Sequence, residues 1–356
     1  MAATGTPMTD DPAFCRRMLP LVSRTFAACI NLLPRRLAYE VLIAYLLCRI
    51  ADTIEDAPEL ANEEKYRLLH AFAEHLDSGS MAAIAQVFSH LEQIGPDQEL
   101  VIHGDRVLRE YRQLRSASRR AIAPWVVEMC QGMADFSCDS RLQPNAHGMQ
   151  ALMDLGDLDQ YCYFVAGTVG HLLTELFAIH HPRLTQRHYV RMKQLATSFG
   201  LGLQLTNIIK DVADDSQRGW SFVPRRLCEE LGTSPEQLLN PSHTDAAKAV
   251  MARLINKAQR HLDDALMYCQ TIPRSAYRIR LFCLTPLYFA VRTLSRARHD
   301  PRLLDPQHKV KISRAEVYRT LRTSALVAPT NTMVNGYYRR LLGNQYSAPT
   351  APTNSR

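Results

Sequence analysis

The sequence predicts an all-α fold built as a single domain. Long segments rich in Leu, Ala, Met, Arg, Glu and Gln alternate with short Pro, Gly and Asn punctuation, the pattern of helices separated by turns. Val, Ile and Thr do not gather into alternating runs, so strand signals are weak. No internal repeat and no Gly/Ser-rich linker divides the 356 residues.

In chain order, the polar, small-residue segment Met1 to Pro12 opens a flexible N-terminus expected to run through residue 15. Helices are expected near 35–57, 64–77, 81–94 and 101–137, with breaks at Leu33-Pro34 and Ile94-Gly95-Pro96. A further break falls at Gln143-Pro144-Asn145, followed by helices near 149–179 and 186–215. After Asn240-Pro241-Ser242 come helices near 244–270, 275–297 and 313–326. The main domain is placed at 16–330, and 331–356 is read as an extension whose Ser-, Ala-, Pro- and Thr-rich end, Tyr346 to Arg356, is a disordered tail. The longest apolar stretch, Tyr161 to Ile179, is interrupted by His171 and Glu175. A bilayer span needs about 20 clean apolar residues, so this stretch is expected to be a buried core helix.

An apolar fraction of 46% and a charged fraction of 22% are those of a folded globular chain. The net charge of +7 suits nucleic acid, anionic lipid or a phosphorylated small molecule, and equally a solvated basic surface. Arg106, Arg109, Arg112 and Arg115 recur every three residues, followed by Arg119 and Arg120. Only Tyr111 interrupts that stripe as an aromatic platform, so no nucleic-acid partner is expected. Nine cysteines are scattered singly with no CxxC pair, and thirteen histidines form no HExxH pattern. Neither a disulfide framework nor a structural zinc site fits, no secretory signal is visible, and a reducing cytoplasm is the expected compartment.

Chemistry concentrates in two acidic motifs. The first, Asp52-Thr53-Ile54-Glu55-Asp56, ends the apolar segment Val41 to Ile50. Asp52 and Asp56 stand four apart on one helical face, and the face extends backwards through Arg49 to Tyr45. A helix apolar nearly all round is buried, and buried charge is costly unless paired or metal-bound. The alternative, an acidic helix end in water, sets negative charge against the helix dipole. The second motif runs from Asn207 to Asp215, where Gln204, Asn207, Asp211 and Asp215 are spaced three, four and four apart among Leu201, Leu203, Leu205, Ile208 and Ile209. Like charges at i and i+4 destabilise a helix, so each motif suggests a cation that offsets the repulsion. All-oxygen ligands point to Mg²⁺ or Mn²⁺, and Mg²⁺ completes its shell with water and phosphate oxygens. Two opposed acidic helices therefore suit a diphosphate. No GxxxxGK[ST] loop occurs.

With these motifs the chain resembles the squalene/phytoene synthase family. Asp52 to Asp56 and Asp211 to Asp215 are similar to its first and second aspartate-rich motifs. Ser23-Arg24-Thr25-Phe26 resembles its N-terminal Ser-Arg-x-Phe, and Tyr161 to Gly170 (YCYFVAGTVG) its YCxxVAGxVG helix. The resemblance implies an all-α isoprenoid-synthase (class I terpenoid synthase) fold around a central cavity, and head-to-head coupling of two prenyl diphosphates. It assigns Asp52, Asp56, Asp211 and Asp215 to Mg²⁺ and diphosphate, with Glu55 supporting the metal cluster. Ser23, Arg24, Arg49 and Lys210 would contact phosphate, Gln204, Asn207 and Arg218 would belong to the substrate site, Tyr45 would line the cavity, and Tyr161 would lie near the reacting carbons. Ala166, Gly167 and Gly170 either make room for isoprenoid tails or allow close helix packing.

Three further segments resemble the squalene branch: Phe282 to Pro286 (FCLTP), Val310 to Arg314 (VKISR) and Gly132 to Phe136 (GMADF). That branch implies condensation of two farnesyl diphosphates to presqualene diphosphate, then reduction by NADPH to squalene. Asn207, Lys210, Lys311 and Arg314 would help hold the nucleotide, outside any GxGxxG fold. Cys283 reads more simply as a buried core residue. Two positions depart from the branch: Trp220 stands where a basic residue is usual, and Arg218 where the phytoene type carries arginine. The alternatives are a phytoene or dehydrosqualene synthase ending in proton loss, and a non-catalytic isoprenoid-binding protein. Anchored members of the branch end in a hydrophobic helix, which the polar tail here is not, so a monomeric cytoplasmic enzyme is expected, peripheral at a membrane for product delivery.

Overall fold

The computed structural model describes residues 10–92, 94–139 and 149–343. The predicted break at 143–145, the extreme N-terminus and the Ser/Pro-rich tail lie outside the described residues. Within them the fold is all-α, as the sequence predicts.

The first helices are α1 (Asp11–Val22), α2 (Arg24–Ile30), α3 (Arg35–Asp56), α4 (Asn62–Glu74) and α5 (Ala82–Ser89). There follow α6 (Pro96–Ile102), α7 (Gly104–Gln113) and α8 (Ser116–Cys138). Beyond β1 (Gln150–Ala151) come α9 (Leu155–Cys162), a π-helical turn (Tyr163–Gly167), α10 (Thr168–His180) and α11 (Gln186–Gln217). The chain continues through β2 (Trp220–Ser221), α12 (Arg225–Glu230), α13 (Thr244–Thr271), α14 (Tyr277–His299), α15 (Arg314–Val327) and α16 (Asn331–Leu342). The principal layers are α11 against α13, α4 and α10 against α8, and α10 against α11. The segment Leu155–His180 is, among the described residues, the one helix long and apolar enough to cross a bilayer. It packs in the interior against α8 and α11, as the sequence predicts for a core helix.

Several boundaries differ from expectation. The single helix expected over 101–137 is two helices, because Leu114 and Arg115 take extended backbone (ψ 156° and 144°) between α7 and α8. The flexible N-terminus expected through residue 15 is helical from Asp11 onward. Asp10 caps α1 by accepting from the Ala13 N–H at 3.1 Å. Asp11 is buried and accepts from Arg106 Nε and Arg109 Nε, both at 2.7 Å. The arginine stripe is thereby absorbed into the fold. Arg112 donates to the carbonyls of His75, Leu76 and Gly79, and Arg115 donates to the buried Glu40. Part of the extension placed at 331–356 is likewise packed: α16 buries Val334, Tyr338 and Leu341, and the Tyr288 O–H donates to the Val334 carbonyl at 3.1 Å.

Two features position the interior. The α10 and α11 backbones meet at glycines: a Cβ on Gly170 would sit 2.2 Å from the Ala196 carbonyl oxygen, and one on Gly200 2.2 Å from that of Ala166. Only glycine fits either place. A two-residue parallel ladder pairs Gln150 with Trp220 and Ala151 with Ser221. It ties the chain leaving α11 to the entrance of α9.

Candidate active site

α3 is buried because its sequence is apolar nearly all round: Leu46, Leu47, Ile50 and Ile54 are fully enclosed. Its one polar stripe, Tyr45, Arg49, Asp52 and Asp56, with Glu55 beside it, opens into a cavity of about 820 Å³. The facing wall comes from α11, which contributes Gln204, Asn207, Lys210, Asp211 and Asp215. The two acidic rows thus share one cavity. Its other end is greasy, closed by Phe26, Ile30, Leu173, Phe199, Phe282 and Pro286. Gly170 and Ala166 also line it, so Gly170 serves both the close packing and the cavity wall, while Gly167 is buried against Tyr163.

Asp52, Glu55, Asp56 and Asp215 hold protons more tightly than ordinary carboxylates. Burial, reinforced by Asp56 and Asp97 and opposed by Arg49, pushes Asp52 up to about 7. Burial, with Asp211 and Asp56 nearby and Arg218 opposing, pushes Asp215 up to about 6. Glu55 and Asp56 are raised too, first by burial. Arg49 stands 3.8 Å from Asp52 and donates from Nε to Asp97 at 2.9 Å. Lys210 pairs with Asp211, and Arg218 Nη2 reaches Asp215 Oδ1 at 2.5 Å. Asp214, on another face of α11, pairs with Lys309 at 2.6 Å.

Tyr161 is buried between these rows and the aromatic wall. Its hydroxyl lies beside Glu55. Phe222 stacks on its ring at 4.7 Å and Phe136 meets its edge at 5.7 Å. Phe222 is delivered by the β1–β2 ladder, with Trp220 stacked on it at 5.6 Å. The Ser23 hydroxyl caps α2 and hydrogen-bonds Tyr45.

The donor set suits hard divalent cations: every acidic group is an oxygen ligand, and the raised proton affinities mark negative charge in want of a counter-ion. Among the described residues no three His, Cys, Asp or Glu side chains converge into a ready-made cage. Cations here would need further oxygens from water or a bound phosphate, which is the usual habit of Mg²⁺.

The sequence profile described as "Squalene/phytoene synthase" matches residues 19–316. The chain belongs to that family. Among curated relatives of this squalene/phytoene synthase family member, squalene synthase from Candida albicans is 30% identical over 307 residues, covering 83% of this chain and 64% of the relative. Squalene synthase from Cyberlindnera jadinii is 28% identical over 298 residues, again covering 83% and 64%. The chain therefore spans a little under two thirds of the length of these relatives. The solved structure of TcSQS with the ligand BPH1237 superposes with a TM-score of 0.78 at 27% identity, covering 96% of this chain and 94% of that one. A dehydrosqualene synthase shares the fold at a TM-score of 0.62 and 19% identity, covering 88% and 95%.

Against the residues that the family resemblance singles out, the cavity brings together Ser23, Tyr45, Arg49, Asp52, Glu55, Asp56, Tyr161, Gln204, Asn207, Lys210, Asp211, Asp215 and Arg218. It leaves out three. Arg24 is exposed at the start of α2, and Lys311 and Arg314 are exposed at the entrance to α15, off the cavity lining. The family motifs do not mark Lys65, which lines the cavity beside Glu55 and Asp56 and whose pKa burial lowers. They also miss Asp97 and Lys309, which hold Arg49 and Asp214. No local pattern announces these three, because each meets its partner only through the tertiary fold.

Proposed function

We propose that this chain couples two farnesyl diphosphates head to head through presqualene diphosphate and yields squalene by NADPH-dependent reduction. The observation that carries the reading is the single cavity with two facing carboxylate rows at one end and an apolar pocket at the other. Such a cavity suits a diphosphate head on a hydrocarbon tail.

Asp52, Asp56, Asp211 and Asp215, with Glu55 beside them, would hold Mg²⁺ or Mn²⁺. When bound, the ions neutralise diphosphate charge and ease its departure as a leaving group. Arg49, Lys210, Arg218 and Ser23 would donate to phosphate oxygens, adding to that stabilisation. Tyr161, Phe222 and Phe136 place aromatic rings where carbocation charge would develop, and a ring face turned toward that charge would stabilise it. Phe26, Ile30, Phe199 and Phe282 exclude the water that would quench it. Asn207 and Lys210 would bind the nucleotide from within the cavity. Lys311 and Arg314 would do so from the segment that Lys309 fastens to α11, where exposed basic side chains suit nucleotide phosphates. NADPH held there would supply the hydride.

Incubation with farnesyl diphosphate and Mg²⁺, with and without NADPH, tests this by the hydrocarbon formed. Squalene only with NADPH is expected. Dehydrosqualene regardless of NADPH, or phytoene when geranylgeranyl diphosphate is supplied instead, would put the chain in the proton-loss branch, and no pyrophosphate release from either substrate would reject an enzyme. A net charge of +7 and a hydrocarbon product also favour a cytoplasmic monomer working against an anionic membrane, for which flotation with phosphatidylglycerol vesicles is the check.

A further inference from the structure

The firmest partner of Arg49 is not one of the aspartates of the two motifs. Its Nε donates to Asp97 Oδ1 at 2.9 Å, whereas its Nη1 is 3.8 Å from Asp52 Oδ2, too far for a hydrogen bond. Asp97 comes from a separate element, α6, and does not itself line the cavity. Its place is built with some care. Pro96 fills the first helical position, where its missing N–H costs nothing, and the Gln98 side chain accepts from the Gly95 N–H at 3.1 Å.

We propose that Asp97 is a positioning residue for the reaction: it holds Arg49 by Nε, keeping the guanidinium off Asp52 and its remaining nitrogens free for phosphate. This role rests on the prenyl-diphosphate reading above. Arginine carries its donors in a rigid fork, so a carboxylate on the Nε edge fixes where the Nη groups lie. Remove that carboxylate and the nearest acceptor is Asp52, three residues on along the same helix and already within 3.8 Å. Arg–Asp pairs at that spacing close readily. One such collapse would take a carboxylate from the divalent cations and a cation from the diphosphate together.

The test uses Asp97→Ala and Asp97→Asn, each alone and in an Arg49→Gln background. Titration calorimetry reads the affinity for inorganic pyrophosphate with Mg²⁺, and steady-state assays with farnesyl diphosphate read KM, kcat and the Mg²⁺ requirement. Asp97→Ala is expected to weaken pyrophosphate binding and raise KM about 10-fold, as for the loss of one charge-assisted hydrogen bond, with kcat changed less and more Mg²⁺ needed. Asp97→Asn, which keeps the shape and one acceptor, should fall between, and it decides the matter if the alanine variant unfolds. Neither change should add anything in the Arg49→Gln background. Unchanged pyrophosphate affinity, or a fully additive loss in that background, overturns the positioning role. A wild-type chain that neither binds pyrophosphate with Mg²⁺ nor turns over farnesyl diphosphate removes the substrate reading, and this role with it.

Discussion

At the scale of single residues, five carboxylates crowd one cavity, and proton uptake partly relieves the crowding. Asp52 at about 7 and Asp215 at about 6 lie above the usual carboxylate range near 4. The folded chain therefore binds more protons than the unfolded one between roughly pH 4 and 7. Their contribution to stability is complete below about pH 4 and is lost as pH rises through 6 to 7. The thermal midpoint of the metal-free protein should fall across that window, and Mg²⁺ should restore it at pH 8 far more than at pH 5. A midpoint that responds equally to Mg²⁺ at both values would remove these carboxylates as its ligands. Asp52→Asn and Asp211→Asn should each cost about 100-fold or more in Mg²⁺-dependent turnover, with the midpoint held or raised. Lys311→Ala should slow the reductive half more than the first condensation. Equal slowing of both would deny Lys311 a nucleotide-specific part. The aspartates were legible beforehand because their i, i+4 spacing on apolar helices is a local signal. Lys65 and Asp97 were not, because their roles depend on which elements meet in space.

Element by element, helical periodicity was the dependable guide wherever a helix is long and buried, as in α3, α11, α13 and α14. It failed at short helices and where backbone geometry overrides periodicity. The extended residues between α7 and α8 sit inside an uninterrupted helical pattern, and the π turn, bonded i to i+5, shifts the helical register inside a stretch that reads as one helix. α1 escaped notice because its anchor is remote: Asp11 is clamped by Arg106 and Arg109 from α7. Breaking a buried charge pair by removing one partner leaves the other uncompensated. Asp11→Ala should therefore cost about 3 kcal/mol in denaturant unfolding, less whatever the half-exposed arginines recover in water. A loss below about 0.5 kcal/mol would show that α1 is held by Phe14, Cys15 and Met18 alone.

Across the whole molecule, the cavity exists because helices from both halves of the chain enclose it: α2 and α3 on one side, α10, α11 and α14 on the other. The sequence suggested two acidic helices facing one another, and both rows line the one cavity, but it did not show how the greasy end is closed. That closure comes from Phe26, Phe199 and Phe282, which are far apart in sequence. One consequence concerns α11, which runs unbroken from Gln186 to Gln217. It bears Gly200, pressed against the Ala166 carbonyl, and also Asp211, some three turns or roughly 16 Å further along. A rigid rod of that kind is a lever. Gly200→Ala would push the middle of the rod aside to make room for a methyl group and swing the carboxylates further along out of aim. Misplacement near 1 Å suffices to lose about 100-fold in rate, so this variant should melt lower, and the fraction that still folds should turn over poorly, as melting curves and initial rates would reveal. Catalytic alignment is then underwritten by an atom that is missing, at a point far from the chemistry.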